Sequence, residues 1–109
     1  MKFNVYITAE AERDIYDIHS YIALNDSAEN ASYVFEKLEQ TCLTLGFFSQ
    51  KGHIPPELER IGVLTYREIH FKPYRIIYEI RNKDVFVHAV LDGRRDLQYL
   101  MERRLLRQK

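Results

Sequence analysis

The chain has 109 residues, 46% of them hydrophobic, and its 16 Lys and Arg balance its 16 Asp and Glu. This length predicts a single domain over residues 1–109. The sequence contains no run of about 18 apolar residues, so we expect no membrane span. The start, MKFNVYITAEAERD, lacks the apolar segment of a signal peptide, so we expect a cytoplasmic protein. Cys42 is the only cysteine and, among apolar neighbours, is expected to be a buried filler.

The balanced total charge hides an uneven distribution. Residues 1–61 contain 5 Lys and Arg and 10 Asp and Glu, whereas residues 62–109 contain 11 and 6. The second half therefore carries net positive charge, which either reflects ordinary surface decoration or forms a basic face for an acidic or anionic partner.

The first half of the chain is predicted to form one strand and two helices. Lys2–Ile7 alternates apolar and polar residues as a strand does, and Thr8 is suited to cap a helix over Ala9–Leu24. Ser27 is suited to cap a second helix, Ala28–Leu45, and the short break between the two predicts an antiparallel helix pair. At helical spacing the apolar faces comprise Ala11, Ile15, Ile18 and Ile22, then Ala31, Val34, Phe35, Leu38, Cys42 and Leu45.

The second half is predicted to form three strands and a short helix. An irregular connection, Gly46–Gly62, leads to strands at Val63–Phe71, Tyr74–Arg81 and Val85–Leu91. The tail, Leu97–Arg107, has apolar residues along one side and little to pack against. The expected fold is α+β with the order β-α-α-β-β-β. A helical hairpin packs on one face of a small, mainly antiparallel sheet, with a short C-terminal helix after the last strand.

The turn between the last two strands predicts their register. With a turn centred near Asn82-Lys83, the core face receives the pairs Ile80–Val85, Tyr78–Val87, Ile76–Ala89 and Tyr74–Leu91. The opposite face receives Arg75, Ile77, Glu79, Arg81, Phe86, His88 and Val90. Arg75 is therefore expected to be exposed in the middle of the sheet, on the side away from the helices.

Most catalytic motifs are absent from the sequence. The four glycines have no phosphate-loop spacing, and neither CxxC, HExxH nor GxSxG occurs. The four histidines are scattered, so we expect no metal and no cofactor. The remaining arginines, tyrosines and carboxylates can bind phosphates or, at most, support metal-free cleavage in which an RNA 2′-hydroxyl attacks.

Several short motifs resemble a known family when taken in order. The β-α-α-β-β-β order, the strands YREI and PYRIIYEI and the ending VHAVLDGRRD resemble the RelE/ParE superfamily of type II toxin–antitoxin toxins, over nearly the whole chain. The resemblance implies a plasmid-stabilisation toxin that a cognate antitoxin neutralises, as a homodimer or a toxin–antitoxin heterotetramer. RelE-like members cut mRNA in the ribosomal A site, whereas ParE-like members inhibit DNA gyrase without nuclease chemistry.

The residues of the nuclease branch match only in part. Arg75 in YRIIY matches the arginine at the scissile phosphate, and Arg95 in GRRD falls near the second arginine. In place of two lysines the preceding strand offers Arg67, with Glu68 where positive charge is wanted, and Tyr99 is a candidate base at an offset spacing. The incomplete set, the ending GRRD and the balanced charge favour the ParE branch.

We therefore expect a ParE-like toxin that inhibits DNA gyrase by binding. The alternatives are a RelE-like mRNA endoribonuclease acting on the ribosome and a non-toxic interaction module. Three of these residues could instead have a purely structural role. Arg75 would then pair with Glu68, Arg95 would pair with Asp92 or Asp96, and Tyr99 would pack in the tail helix. The expected partner-binding residues are Arg75, Arg94, Arg95, Leu100, Arg103, Arg104 and Leu105.

Overall fold

The computed structural model describes residues 2–106, and their side chains as far as Arg104. The elements are β1 (Asn4–Ile7), α1 (Ala9–Asn25), α2 (Ala28–Leu43), a 3-10 turn (Thr44–Gly46), α3 (Pro56–Glu59), β2 (Tyr66–Phe71), β3 (Tyr74–Arg81), β4 (Asp84–Asp92), α4 (Leu97–Met101) and a π-helical turn (Glu102–Leu106). The predicted order is confirmed, although the connection predicted to be irregular contains α3. Among the described residues, no helix combines the length and apolarity that crossing a membrane requires.

Both long helices begin at the hydroxyl caps that the sequence predicted. The Thr8 hydroxyl accepts a hydrogen bond from the Ala11 N–H at 3.1 Å, and the Ser27 hydroxyl accepts one from the Asn30 N–H at 3.0 Å. Each cap satisfies an N–H that has no partner within its helix. Only two residues separate α1 from α2, so the helices fold back on each other as the predicted hairpin.

The four strands form one sheet, as predicted, and their order in it is β1-β4-β3-β2. β1 runs parallel to β4, and the other neighbouring strands are antiparallel. Asn82 in the turn between β3 and β4 has a φ of 57°, a left-handed conformation that asparagine tolerates better than most residues. The predicted position of this turn is therefore confirmed.

The predicted register of β3 and β4 is correct for the pairs close to the turn and wrong for the pairs further from it. The pairs Ile80–Val85 and Tyr78–Val87 form as expected. Ile77 then pairs with Ala89, so His88 is an extra residue and β4 has a bulge. Because side chains alternate between faces, the bulge moves Ala89 and Leu91 to the face opposite the long helices and brings Val90 to the helix face.

Helices cover both faces of the sheet: the predicted hairpin of α1 and α2 packs on one face, and the short helices α3 and α4 cover the other. The core beneath α1 and α2 centres on Ile15, Leu38, Ile76, Tyr78 and Val87. On the other face, α3 and α4 bury Leu58, Leu97 and Met101 against Ile77, Ala89 and Leu91. Burying each of these large side chains stabilises the fold by roughly 1.5–3 kcal/mol.

The C-terminal segment is therefore docked on the protein. The expectation that it has little to pack against is wrong because the bulge at His88 turns Ala89 and Leu91 towards it. Leu97 and Met101 are fully buried at this contact.

Candidate functional site

The connection between the helices and the sheet is held against β2 and β3. The Tyr78 hydroxyl accepts a hydrogen bond from the Gly52 N–H at 3.0 Å, and the Arg67 guanidinium donates to the Gly52 carbonyl at 2.8 Å. His53 and Glu68 exchange backbone hydrogen bonds of 3.2 and 2.7 Å, as neighbouring antiparallel strands do. These contacts bring the start of α3 next to Glu68.

Arg75 lies at the centre of a buried ion-pair cluster, and the prediction that it is exposed is wrong. Its exposed fraction is 8%. Its Nε donates to Glu68 Oε1 at 2.7 Å, while Nη1 and Nη2 donate to the two carboxylate oxygens of Glu57 at 2.6 and 2.9 Å. The physical reason is that α3 covers the face of the sheet opposite the long helices and carries Glu57 over the end of β3. The structural alternative that paired Arg75 with Glu68 is confirmed.

The two charges of the Arg75–Glu57 pair stabilise each other. The hydrogen bond from Arg75 lowers the pKa of the Glu57 carboxyl below its usual value, although burial acts in the opposite direction. The Glu57 carboxylate in turn raises the pKa of the Arg75 guanidinium, against the cost of its burial and with a further contribution from Glu68. All three guanidinium nitrogens of Arg75 already donate to a carboxylate.

Two histidines extend this cluster to the surface. His53 Nε2 lies 3.2 Å from one carboxylate oxygen of Glu68, and His70 Nε2 lies 3.2 Å from the other. Among the described residues, these three form the group whose ligand atoms lie close enough to share one metal ion. The sequence pattern did not predict this group. The spacing of Glu68 and His70 on one strand face was its only local signal, since His53 and Glu57 arrive through the folded connection.

The predicted basic residues after β4 lie elsewhere on the molecule. Arg94 is exposed, and its Nε contacts the Asp92 carboxylate at 3.2 Å. The ion pair that sequence analysis considered between Arg95 and Asp92 is therefore formed by Arg94. Arg95 is exposed and, together with Tyr21, lines a cleft between α1 and the ends of β3 and β4.

The predicted residues of the C-terminal segment divide between the surface and the interior. Tyr99 is 56% exposed, which contradicts the packing alternative, and its hydroxyl accepts a hydrogen bond from Arg103 Nη1 at 2.9 Å. Leu100 is half-buried against the core that α3 and α4 cover. Arg104 forms an ion pair with Asp14 of α1. The side chain of Leu105 lies outside the described residues, as does Arg107.

The candidate nuclease residues do not share one environment. Arg67 and Arg75 contact the connection that precedes β2. Arg95 and Tyr99 instead line a cleft with Glu10 of α1. In the first environment, Glu57 and Glu68 neutralise the charge of Arg75. In the second, Arg95 is exposed to solvent.

Comparison with known proteins relates this chain to toxins. The family model described as the ParE toxin of the type II toxin–antitoxin system, parDE, matches residues 5–97. Among solved structures, the chain is similar to a chain of the chromosomal ParDE toxin–antitoxin system from P. aeruginosa. The TM-score is 0.70 at 14% identity, over 84% of this chain and 96% of that chain.

A second similar structure is the toxin–antitoxin complex RelBE2 from Mycobacterium tuberculosis, with a TM-score of 0.61 at 14% identity, over 84% of this chain and 92% of that chain. At this identity the two structures show a shared fold. No curated protein sequence matches the chain. Because the family model covers residues 5–97, most of the chain, the chain belongs to the ParE toxin family of type II toxin–antitoxin systems, within the RelE/ParE superfamily.

Proposed function

We propose that this toxin acts by binding, as a ParE-type inhibitor of DNA gyrase, and that it does not cleave RNA. The observation that carries the proposal is the state of Arg75. The arginine that a RelE-like nuclease would place on the scissile phosphate is buried here, and all its nitrogens donate to Glu57 and Glu68.

A phosphate at Arg75 would have to displace one carboxylate and approach the other. At an effective dielectric constant of about 20, each close contact between like charges costs on the order of 4 kcal/mol. A penalty of that size in the transition state lowers a rate by roughly two to three orders of magnitude. The cluster therefore favours a structural role for Arg75 over a role in RNA cleavage.

The cognate antitoxin is the second proposed partner. Arg75 and Arg104, which sequence analysis included among the contacts, are engaged in ion pairs inside the fold. We assign the contact to the exposed arginines, Arg94, Arg95 and Arg103, with Leu100 beside them. Such a surface suits an acidic, amphipathic segment of the partner.

The target is tested by two assays run in parallel on the purified protein. We expect inhibition of DNA supercoiling by gyrase, and no codon-specific cuts when primer extension maps translated mRNA. Codon-specific A-site cuts that disappear in Arg75→Ala, with supercoiling untouched, would instead establish the endoribonuclease. Retained antitoxin binding without either activity would indicate a non-toxic interaction module.

The antitoxin surface is tested by charge reversal. Arg94→Glu and Arg103→Glu should each weaken antitoxin binding at least several-fold, whereas Lys83→Glu changes charge equally at the opposite end of β4 and should not. Deleting residues 98–109 is also expected to weaken binding, but it removes the buried Met101 as well and so tests the fold together with the surface. Equal affinity of all three substituted proteins would contradict the assignment.

A further inference from the structure

We propose that His53, Glu68 and His70 form a binding site for one divalent transition-metal ion of the zinc class. The two imidazoles and the carboxylate come from the connection before β2 and from β2 itself. This combination of ligand types suits Zn²⁺ and its first-row neighbours, whereas Mg²⁺ and Ca²⁺ prefer sites built from oxygen ligands.

The distances between the ligand atoms fit a shared ion. Each histidine Nε2 lies 3.2 Å from a Glu68 oxygen, and all the ligand atoms lie within 4.8 Å of one another. Ligands at about 2.0–2.1 Å from a tetrahedral ion are about 3.3 Å apart. Each histidine lies close to that spacing from its own oxygen of Glu68, His53 from Oε2 and His70 from Oε1. A charge-assisted hydrogen bond is usually shorter, at about 2.7–2.9 Å.

Glu68 is held in place by its surroundings before any ion binds. It is 2% exposed, and Arg75 donates to both of its oxygens, at 2.7 and 3.2 Å. Hydrogen-bonded partners of this kind orient the ligands of metal sites and are part of their affinity. The backbone hydrogen bonds between His53 and Glu68 fix the position of the first histidine, and His70 follows Glu68 on the same face of β2.

The local charge and the exposure of the histidines also favour a cation. Glu57 and Glu68 together outweigh Arg75 by one negative charge, so a divalent ion does not meet a net positive cluster. The side chains of His53 and His70 are 60% and 42% exposed. The ion can therefore enter from solvent and keep at least one coordination position for water or an external ligand.

The test is titration of the protein, prepared without a histidine tag, with ZnCl₂ in a calorimeter. We expect one equivalent to bind, with affinity at least about tenfold weaker in His53→Ala and in His70→Ala. His19→Ala is the matched control, because this histidine of α1 packs beside Phe35, away from the site, and its removal should leave the affinity unchanged.

A second measurement does not depend on any variant. In the histidine side-chain NMR spectrum of the unaltered protein, Zn²⁺ should shift the Nε2 signals of two histidines and leave the other two in place. Absence of binding would overturn the proposal. So would binding that survives both substitutions, binding that is lost equally in His19→Ala, or shifts at any other pair of histidines.

Discussion

Arg104 in the C-terminal segment and Asp14 in α1 form a bidentate ion pair, with Nη1–Oδ2 and Nη2–Oδ1 distances of 2.7 and 2.6 Å. The pair lies where β1 has ended and β4 continues without a neighbour on that side. Asp14 accepts the Val90 N–H at 2.9 Å, and Arg104 donates to the His88 carbonyl at 3.2 Å. The two side chains thus satisfy backbone groups of β4 that have no strand partner beyond the end of β1.

Replacing Arg104 by alanine should destabilise the protein, because Asp14 and the His88 carbonyl both lose a charged donor. We expect a loss of about 1–3 kcal/mol in the free energy of unfolding, measured in urea. Arg103→Ala is the matched control, since this neighbouring arginine is exposed and its guanidinium contacts the exposed Tyr99. Equal stability of the two variants would mean that the ion pair does not hold the segment.

Gly52 should not tolerate a side chain. A Cβ at this position would lie 2.5 Å from the Glu68 carbonyl oxygen and 2.6 Å from the Tyr78 hydroxyl, closer than packed atoms allow. Gly52→Ala is therefore expected to cost roughly 1–3 kcal/mol and to loosen the connection before β2. Hydrogen exchange of the His53 amide should accelerate in this variant.

A second substitution separates the hydrogen bonds of the connection before β2 from its close packing. Tyr78→Phe keeps the ring but removes the hydroxyl that donates to the Ser49 carbonyl at 2.7 Å and accepts from Gly52. The unpaired buried groups should cost about 1–3 kcal/mol. If urea unfolding of this variant matches that of the unaltered protein, the hydroxyl does not hold the connection.

Acid should weaken the fold partly through Glu79. Burial alone would raise the pKa of this carboxyl, but hydrogen bonds from Arg81 and His88 outweigh it and hold the pKa below the ordinary 4.5. A carboxyl with a lowered pKa in the folded state stabilises the protein above its unfolded pKa, and this contribution is lost as the pH falls through the folded value.

The comparison therefore starts above the pKa of an unfolded glutamate, about 4.3, and follows the unfolding free energy as the pH is lowered below it. Glu79→Gln should show a smaller fall in unfolding free energy over this range than the unaltered protein. Glu36→Gln removes an exposed carboxylate from α2 and serves as the control, with the fall expected to stay as in the unaltered protein. An undiminished fall in Glu79→Gln would contradict the assignment.

The thiol of Cys42 should be unreactive in the folded protein. Burial, with a further contribution from Glu39, raises the pKa of its thiol to about 12, so little thiolate is present at neutral pH. We expect a disulfide reagent such as Ellman's reagent to label Cys42 only at the rate of unfolding, and rapidly in denaturant. Fast labelling under native conditions would show that α2 opens locally.

The sequence alone determined the two long helices, the four strands and their order. Hydrophobic spacing and the caps Thr8 and Ser27 specify the two long helices, and Asn82 specifies the turn between β3 and β4. These signals are local, because each depends on residues within a turn or two of the chain. The tertiary structure also bears out the buried thiol that the apolar neighbours of Cys42 predicted.

The faces of the sheet and the composition of the site were decided only by the tertiary structure. One extra residue, His88, makes the side chains that follow it in β4 point to the opposite faces from those predicted. The alternation of apolar and polar residues does not show where such a bulge will occur. The reversal makes the second core, which carries α3 and with it Glu57 onto Arg75. His53 reaches Glu68 through the same folded connection. Contacts between segments so far apart in the chain depend on packing, and local sequence patterns do not specify them.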